Sequence, residues 1–277
     1  MTLRKTSHLL RNFIDDNRIR TPTTSTIIQL TFNQNSIQMM LKIGENQKPV
    51  FLTYSNHENG CELSYRNSKK ILEMSDYLKI FETDFQLVLS HQNSKNSRLE
   101  FLISRRIFSL NENILEMLRR TVPMKVQDLT LHVSAEIQVS DFLNLIESSH
   151  LTSLTVVGTN IDESQLENLN SLKKLQIGNS ITDIPLARLT NLEEVIIKYR
   201  FVKFEDVLFL KELFCTGPLD DKNSFSINLT GGSPNRKELT ATLSPLTDEV
   251  DHWYYRAAIN SEKLLFIGLG ARWLRFS

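Results

Sequence analysis

Leu151-Thr152-Ser153-Leu154-Thr155-Val156, Leu172-Lys173-Lys174-Leu175-Gln176-Ile177 and Leu192-Glu193-Glu194-Val195-Ile196-Ile197 are three versions of one apolar phrase. A looser version, Leu129-Thr130-Leu131-His132-Val133, precedes them. From Leu129 the phrase returns at Leu154, Leu175 and Val195, at spacings of 25, 21 and 20 residues. A period of this size with L-x-x-L-x-(L/V/I) at its centre is the leucine-rich-repeat signature: one short strand per repeat, stacked in parallel along a curved sheet. A sheet of that kind offers a broad binding surface rather than a catalytic cleft, so the pattern points to recognition of another macromolecule.

Working outward, Leu99-Glu100-Phe101-Leu102-Ile103 alternates like a strand 28 residues earlier, measured from Phe101 to Leu129, and reads as an atypical leading repeat. The connectors shorten along the array. Residues 141–147 have room for a full helix, 162–169 for two turns, and the segment around Pro185 for barely one.

Upstream, residues 2–16 read as a helix with Leu3, Leu10 and Ile14 on one face, and Thr21-Pro22-Thr23 as a linker. The period then drops to two. Ile28-Leu30-Phe32, Ile37-Met39-Leu41-Ile43, Val50-Leu52-Tyr54 and Cys61-Leu63-Tyr65 predict a four-stranded antiparallel meander with one dry face. Ser68 is read as the cap of a helix carrying Ile71, Leu72, Leu78 and Phe81, a second helix begins near Asp84, and Asn111 caps a third.

Downstream of Cys215 the repeat register is lost. Gly217-Pro218 and Gly231-Gly232-Ser233-Pro234 punctuate a strand-like Phe225-Ile227-Leu229, and a short helix is expected over 237–243. Trp253-Tyr254-Tyr255, residues 264–269 and Trp273-Leu274-Arg275-Phe276 look like strands closing the end of the stack. The expected class is α/β: a leucine-rich-repeat-like curved parallel sheet, with an N-terminal antiparallel β meander and a C-terminal β-rich cap. Its zones are 1–20, 24–66, 68–215 and 216–277.

Lys and Arg number 32, as do Asp and Glu, so the formal charge is zero. Binders of nucleic acid or of membrane surfaces draw affinity from excess basic charge, so neither partner is expected. No stretch approaches the roughly 18 apolar residues of a membrane span, and the Lys- and Arg-rich first twenty residues do not form a signal peptide. An intracellular, cytoplasmic or nuclear protein is expected. Cys61 and Cys215 share no metal or redox spacing and read as two reduced thiols, with a disulfide as the alternative. Asn228-Leu229-Thr230 matches a glycosylation acceptor, a triplet common by chance.

Catalytic chemistry finds no foothold. The six histidines (His8, His57, His91, His132, His150, His252) are scattered, so no metal site is expected. Gly268-Leu269-Gly270 lacks the third glycine of a dinucleotide turn, and no cofactor is expected. There is no nucleophile elbow or P-loop, and Cys215 has no basic neighbour in sequence. The chain is expected not to be an enzyme.

Strand parity supplies the candidate surface instead. If Leu154 and Val156 face the core, Ser153, Thr155 and Val157 face outward. The same parity turns out Asp128, Thr130 and His132, then Lys174 and Gln176, then Glu194, Ile196 and Lys198. This ladder of mixed charge with an apolar strip is either the wet face of a sheet or a protein-binding patch. Trp253-Tyr254-Tyr255 is likewise either a capping strand or an aromatic anchor for a partner.

The order of these segments carries a resemblance. Thr2-Leu3-Arg4-Lys5 through Leu10-Arg11-Asn12-Phe13-Ile14-Asp15-Asp16 resembles the final helix of the F-box in nematode F-box A proteins. Val126-Gln127-Asp128-Leu129-Thr130-Leu131, the Leu-x-x-Leu series, Phe204-Glu205-Asp206-Val207-Leu208-Phe209-Leu210 and residues 248–256 resemble the FTH domain that follows it. The resemblance implies a substrate receptor that is itself non-catalytic. Its F-box would dock on a Skp-type adaptor of a cullin–RING ubiquitin ligase, and its repeat region would hold a target protein. Because the chain begins inside the last F-box helix, stable adaptor binding is not expected. A stand-alone protein-binding module is the expected role, and a competent ligase receptor is the alternative if the F-box is completed upstream.

Overall fold

The computed structural model describes residues 25–44, 48–66, 68–91, 97–103, 112–121, 123–134, 138–159, 161, 163–178, 180–200, 202–216, 224–230, 247–249, 252–256, 264–270 and 273–276. The expected helix at 2–16, the linker at 21–23, the Asn111 cap, the helix at 237–243 and the two Gly-Pro punctuations lie outside these residues. The chain divides into two compact units. One runs to Thr152 and includes Leu169–Ser171; the other comprises Ser153–Asn168 and Leu172–Ser277. The fold class is α/β, and each unit is built on a mixed sheet.

In the first unit, β1 (Thr26–Asn33), β2 (Ser36–Ile43), β3 (Val50–His57), β4 (Gly60–Tyr65) and β5 (Ser68–Glu73) run antiparallel in sequence order. β1 pairs on its other side with β6 (Ser97–Ile103), in parallel, and β6 pairs in parallel with β7 (Asp128–His132). Alternation decides the faces. Ile28, Leu30 and Phe32, then Ile37, Met39, Leu41 and Ile43, then Leu52 and Tyr54 are buried, while the residues between them are less so.

The buried face is covered by α1 (Tyr77–His91), α2 (Glu112–Arg119) and the short α3 (Val139–Leu143). Phe81 and Phe85 of α1 stack at 5.4 Å, and Tyr54 meets Phe81 edge-on at 5.5 Å. Phe101 of β6 is gripped between Phe32, at 6.2 Å, and Phe142 of α3, at 4.9 Å. These rings form the centre of the first core.

Two sequence expectations fail here. Residues 68–73 form a fifth meander strand rather than a helix, and a single helix, α1, replaces the expected pair. The chain turns between them at Met74, whose φ is 53°, and Asp76 starts the helix by accepting the Leu78 N–H at 2.8 Å. A left-handed residue ends the strand and an Asp cap opens the helix, so Ile71 and Leu72 belong to the sheet. From Ile80 through Phe81, Phe85 and Val88 the buried spacing is continuous and helical, with no break at Asp84.

In the second unit, β8 (Ser153–Val157), β9 (Lys174–Gly178), β10 (Glu194–Tyr199) and β11 (Ser224–Leu229) run parallel. Their connectors are α4 (Glu163–Leu166), a 3₁₀ turn (Leu186–Leu189) and α5 (Phe204–Thr216). Leu154, Leu175, Val195 and Phe225 align across the four strands, as do Val156 and Ile177, and Ile197 and Ile227. All are buried, and Phe214 of α5 closes on Phe225 edge-on at 5.7 Å. β11 then pairs antiparallel with β15 (Trp273–Phe276), followed by β14 (Leu264–Gly270), β13 (His252–Arg256) and β12 (Thr247–Glu249). The last strand of the chain is thus inserted next to the parallel set, and the expected closing strands are present.

Candidate protein-binding face

Parallel register turns the repeat into rows on the side of the second sheet away from its core. Ser153, Lys174, Glu194 and Ser224 stand side by side, followed by Thr155, Gln176, Ile196 and Ser226. Val157 stands opposite Gly178, and Lys198 opposite Asn228. Lys174 and Gln176 are exposed, while Ser153, Thr155, Val157, Glu194, Ile196 and Lys198 are half-buried. All eight side chains named from parity in this unit therefore share one face. Ser224, Ser226 and Asn228 extend it by one strand and were missed, because only the β10–β11 register ties that strand to the repeat. The signal was Phe225-Ile227-Leu229, whose buried parity leaves those three positions on the opposite side.

The charges on this face are partly spent on one another. Lys174 Nζ sits 2.8 Å from Glu194 Oε2, and at the start of the same strands Lys173 Nζ is 2.6 Å from Glu193 Oε1. Exposed pairs of this kind contribute about 0–1 kcal/mol each, so they order the surface more than they stabilise it. Lys198 has no ion-pair partner among the described residues, and beside it on β10 Ile196 is the large apolar side chain of this face. The face thus sets a basic group next to an aliphatic one, rimmed by Ser, Thr, Gln and Asn.

The remaining three candidates lie on β7 in the first unit. Asp128 is half-buried and His132 exposed, but Thr130 is only 7% exposed, which corrects its reading as an open contact residue. Its row holds Glu100 and Gln29, joined to each other at 2.8 Å. The side chains of Trp253-Tyr254-Tyr255 and Cys215 lie outside the described residues. Cys61 is a buried free thiol that burial pushes up to about 11, so it is unreactive as a nucleophile.

Two polar features of the first unit have a chemical look. Tyr54 donates its hydroxyl to Asp84 Oδ2 at 2.9 Å between the sheet and α1, and burial pushes Asp84 up to about 6 and Tyr54 upward as well. Both side chains are closed to solvent, so the dyad is part of the core. An open cleft of 910 Å³ lies at the β3–β4 hairpin, lined by residues 56–60 and 73–77, among them Glu58, Glu73 and Asp76. Among the described residues no group of three or more His, Cys, Asp or Glu side chains is arranged to hold a metal ion. Nor is any described helix long and apolar enough to cross a membrane.

No family model matches the chain, and no curated protein matches it. Among solved structures it is similar to a propionate kinase from Francisella tularensis subsp. tularensis SCHU S4, at 15% identity and a TM-score of 0.24. The match covers 35% of this chain and 29% of the kinase. That protein is an enzyme, and the expectation that this chain is not an enzyme is withdrawn, with no activity assigned to the chain in its place. A likeness of that size carries no argument for kinase chemistry either.

Proposed function

We propose that this chain is a protein-binding module that holds a target protein on the outer face of β8–β11, in the manner of the substrate-recognition part of an F-box A protein with its FTH domain. The finer fold reading belongs to the same proposal: β8–β11 are successive leucine-rich-repeat-like units of a curved sheet. The observation that carries it is the register. Rows of Ser153, Lys174, Glu194 and Ser224, and of Thr155, Gln176, Ile196 and Ser226, present equivalent repeat positions side by side on one open face. Repeat proteins bind along such rows, with polar groups setting specificity and an apolar centre supplying most of the affinity. Ile196 and Lys198 are the anchors of this face.

The test is co-purification from an intracellular lysate with the full chain and with an Ile196→Asp/Lys198→Glu variant. Proteins retained by the wild type are expected to be lost from the variant, with the melting temperature within a few degrees of the parent. Equal retention at an unchanged melting temperature rules out this face. A Skp-type adaptor among the retained proteins extends the role to a ubiquitin-ligase receptor.

A further inference from the structure

We propose that β5 is a self-association edge, along which two copies of this chain pair antiparallel about a two-fold axis at Ile71. Among the described residues no strand lies beyond β5 in the order β5-β4-β3-β2-β1-β6. Its backbone groups on that side are an open template for another strand.

The local geometry selects the partner strand and its register. Met74 N–H donates to Asn59 O at 3.0 Å, continuing the ladder in which Gly60 stands opposite Glu73. Hydrogen-bonding direction alternates along an antiparallel strand. The even residues Ser68, Lys70, Leu72 and Met74 therefore bond toward β4, and Lys69, Ile71 and Glu73 direct their N–H and C=O groups to the open edge. An incoming antiparallel strand must match outward residues with outward residues.

With a second copy centred on Ile71, Ile71 faces Ile71 and each Lys69, whose Nζ lies 2.9 Å from Glu62 Oε1 of its own chain, also faces a Glu73. All three of these residue pairs bond through their backbones, with two hydrogen bonds each. The sequence Lys69-Lys70-Ile71-Leu72-Glu73 is thus charge-complementary to itself when reversed. The neighbouring permitted registers lose this match, because they set Lys70 against Lys70 or Leu72 against Leu72 and leave fewer outward residues paired.

Exposure points to the same segment. The large apolar side chains exposed among the described residues are Phe51, Ile71, Met74 and Phe209; Ile71 is 44% exposed and Met74 is 100%. The two-fold arrangement places Met74 opposite Ser68 of the second copy and brings the two Ile71 side chains together. One strand pair falls at or below the roughly 1,200 Å² of a standard interface, so the dimer is a weak one whose population follows concentration.

Sedimentation velocity on the full chain over a hundredfold concentration range tests this. The expected result is a mass rising from one chain toward two. Lys69→Glu and Glu73→Lys each convert two attractive cross-strand pairs into repulsive ones and should weaken self-association about tenfold. Mixed together, these two variants regain both pairs as attractive contacts, so the mixture should dimerise about tenfold more tightly than either variant alone. Ile71→Pro deletes an N–H that serves only the open edge, which an edge strand tolerates. It should abolish the dimer while leaving the melting temperature of dilute protein within a few degrees. A single-chain mass at every concentration overturns the proposal, as does a dimer that survives Ile71→Pro. A mixture that associates no better than its components overturns the register.

Discussion

Replacing Asp84 with Asn removes a charge from the core while keeping an oxygen for the Tyr54 hydroxyl, which now donates to the carboxylate at 2.9 Å. Asp84 is 3% exposed, and its carboxyl moves from the ordinary 3.8 to about 6, chiefly through burial, with the Tyr54 hydrogen bond pulling the other way. The free energy corresponding to that move is roughly 3 kcal/mol. Because the folded value lies above the unfolded one, the protonated acid is the form that folding favours. The stability it provides is fully present below 3.8 and is lost as pH rises through about 6. At pH near 8 the Asp84→Asn variant escapes the burial of a charge, while its amide N–H₂ lacks the partner it needs, at about 1 kcal/mol. The variant should therefore be about 2 kcal/mol more stable than the parent under alkaline conditions. It should be about 1 kcal/mol less stable below the ordinary carboxylate range, where the parent is protonated in both states. Urea unfolding with hydrogen exchange read over residues 50–57 and 77–91 reports on the first unit separately. A difference that keeps one sign and size across that pH range refutes the reasoning.

Two further substitutions probe the frame of each unit. Gly60 holds φ at 141°, and a Cβ built there stands 2.2 Å from Leu72 O, so Gly60→Ala should destabilise the first unit by roughly 2–3 kcal/mol. Amides of β4 and β5 should exchange faster, and normal protection there counts against a β3–β4 hairpin that demands glycine. Phe225→Ala empties a fully buried site against Phe214 in the second unit and should cost about 3–5 kcal/mol. Thermal unfolding measures the loss, and a drop of less than about 1 kcal/mol would mean that α5 does not seal β11.

What the sequence made legible was whatever one strand decides for itself. Ile28-Leu30-Phe32 and Leu175-Gln176-Ile177 announce their buried faces by alternation, and the L-x-x-L spacing announces parallel repeats; both readings depend only on neighbours in the chain. The candidate face was legible for the same reason, down to Ile196 and Lys198. Pairing was not legible. Nothing local says that Gln29 meets Glu100, or that Trp273–Phe276 slides in beside β11 ahead of the strands that precede it, because those choices compare alternative long-range partners. Segment 68–81 failed for a further reason. Ile71, Leu72, Leu78 and Phe81 suit a helix by spacing, and the decision falls to the backbone at Met74, a residue type that seldom signals a left-handed turn. Thr130 shows the limit of parity: it fixes which side of the sheet a residue takes, but not how much of it water reaches.

β1 is bonded on one side to the strand that follows it and on the other to a strand about seventy residues away, since Gln29 and Glu100 are 71 positions apart. The first pairing closes over the two residues of a hairpin turn, whereas the second must first gather in the whole meander and α1. Chain-closure entropy grows with the logarithm of loop length, so the distant pairing is dearer in loop entropy if the intervening chain is loose, and far less so once the hairpins have shortened it. The meander is then more than one wall of the core: once folded on local terms, it shortens the loop that the β1–β6 pairing has to close. Changes that weaken its hairpins act on how quickly β6 finds its place as well as on how firmly it stays there.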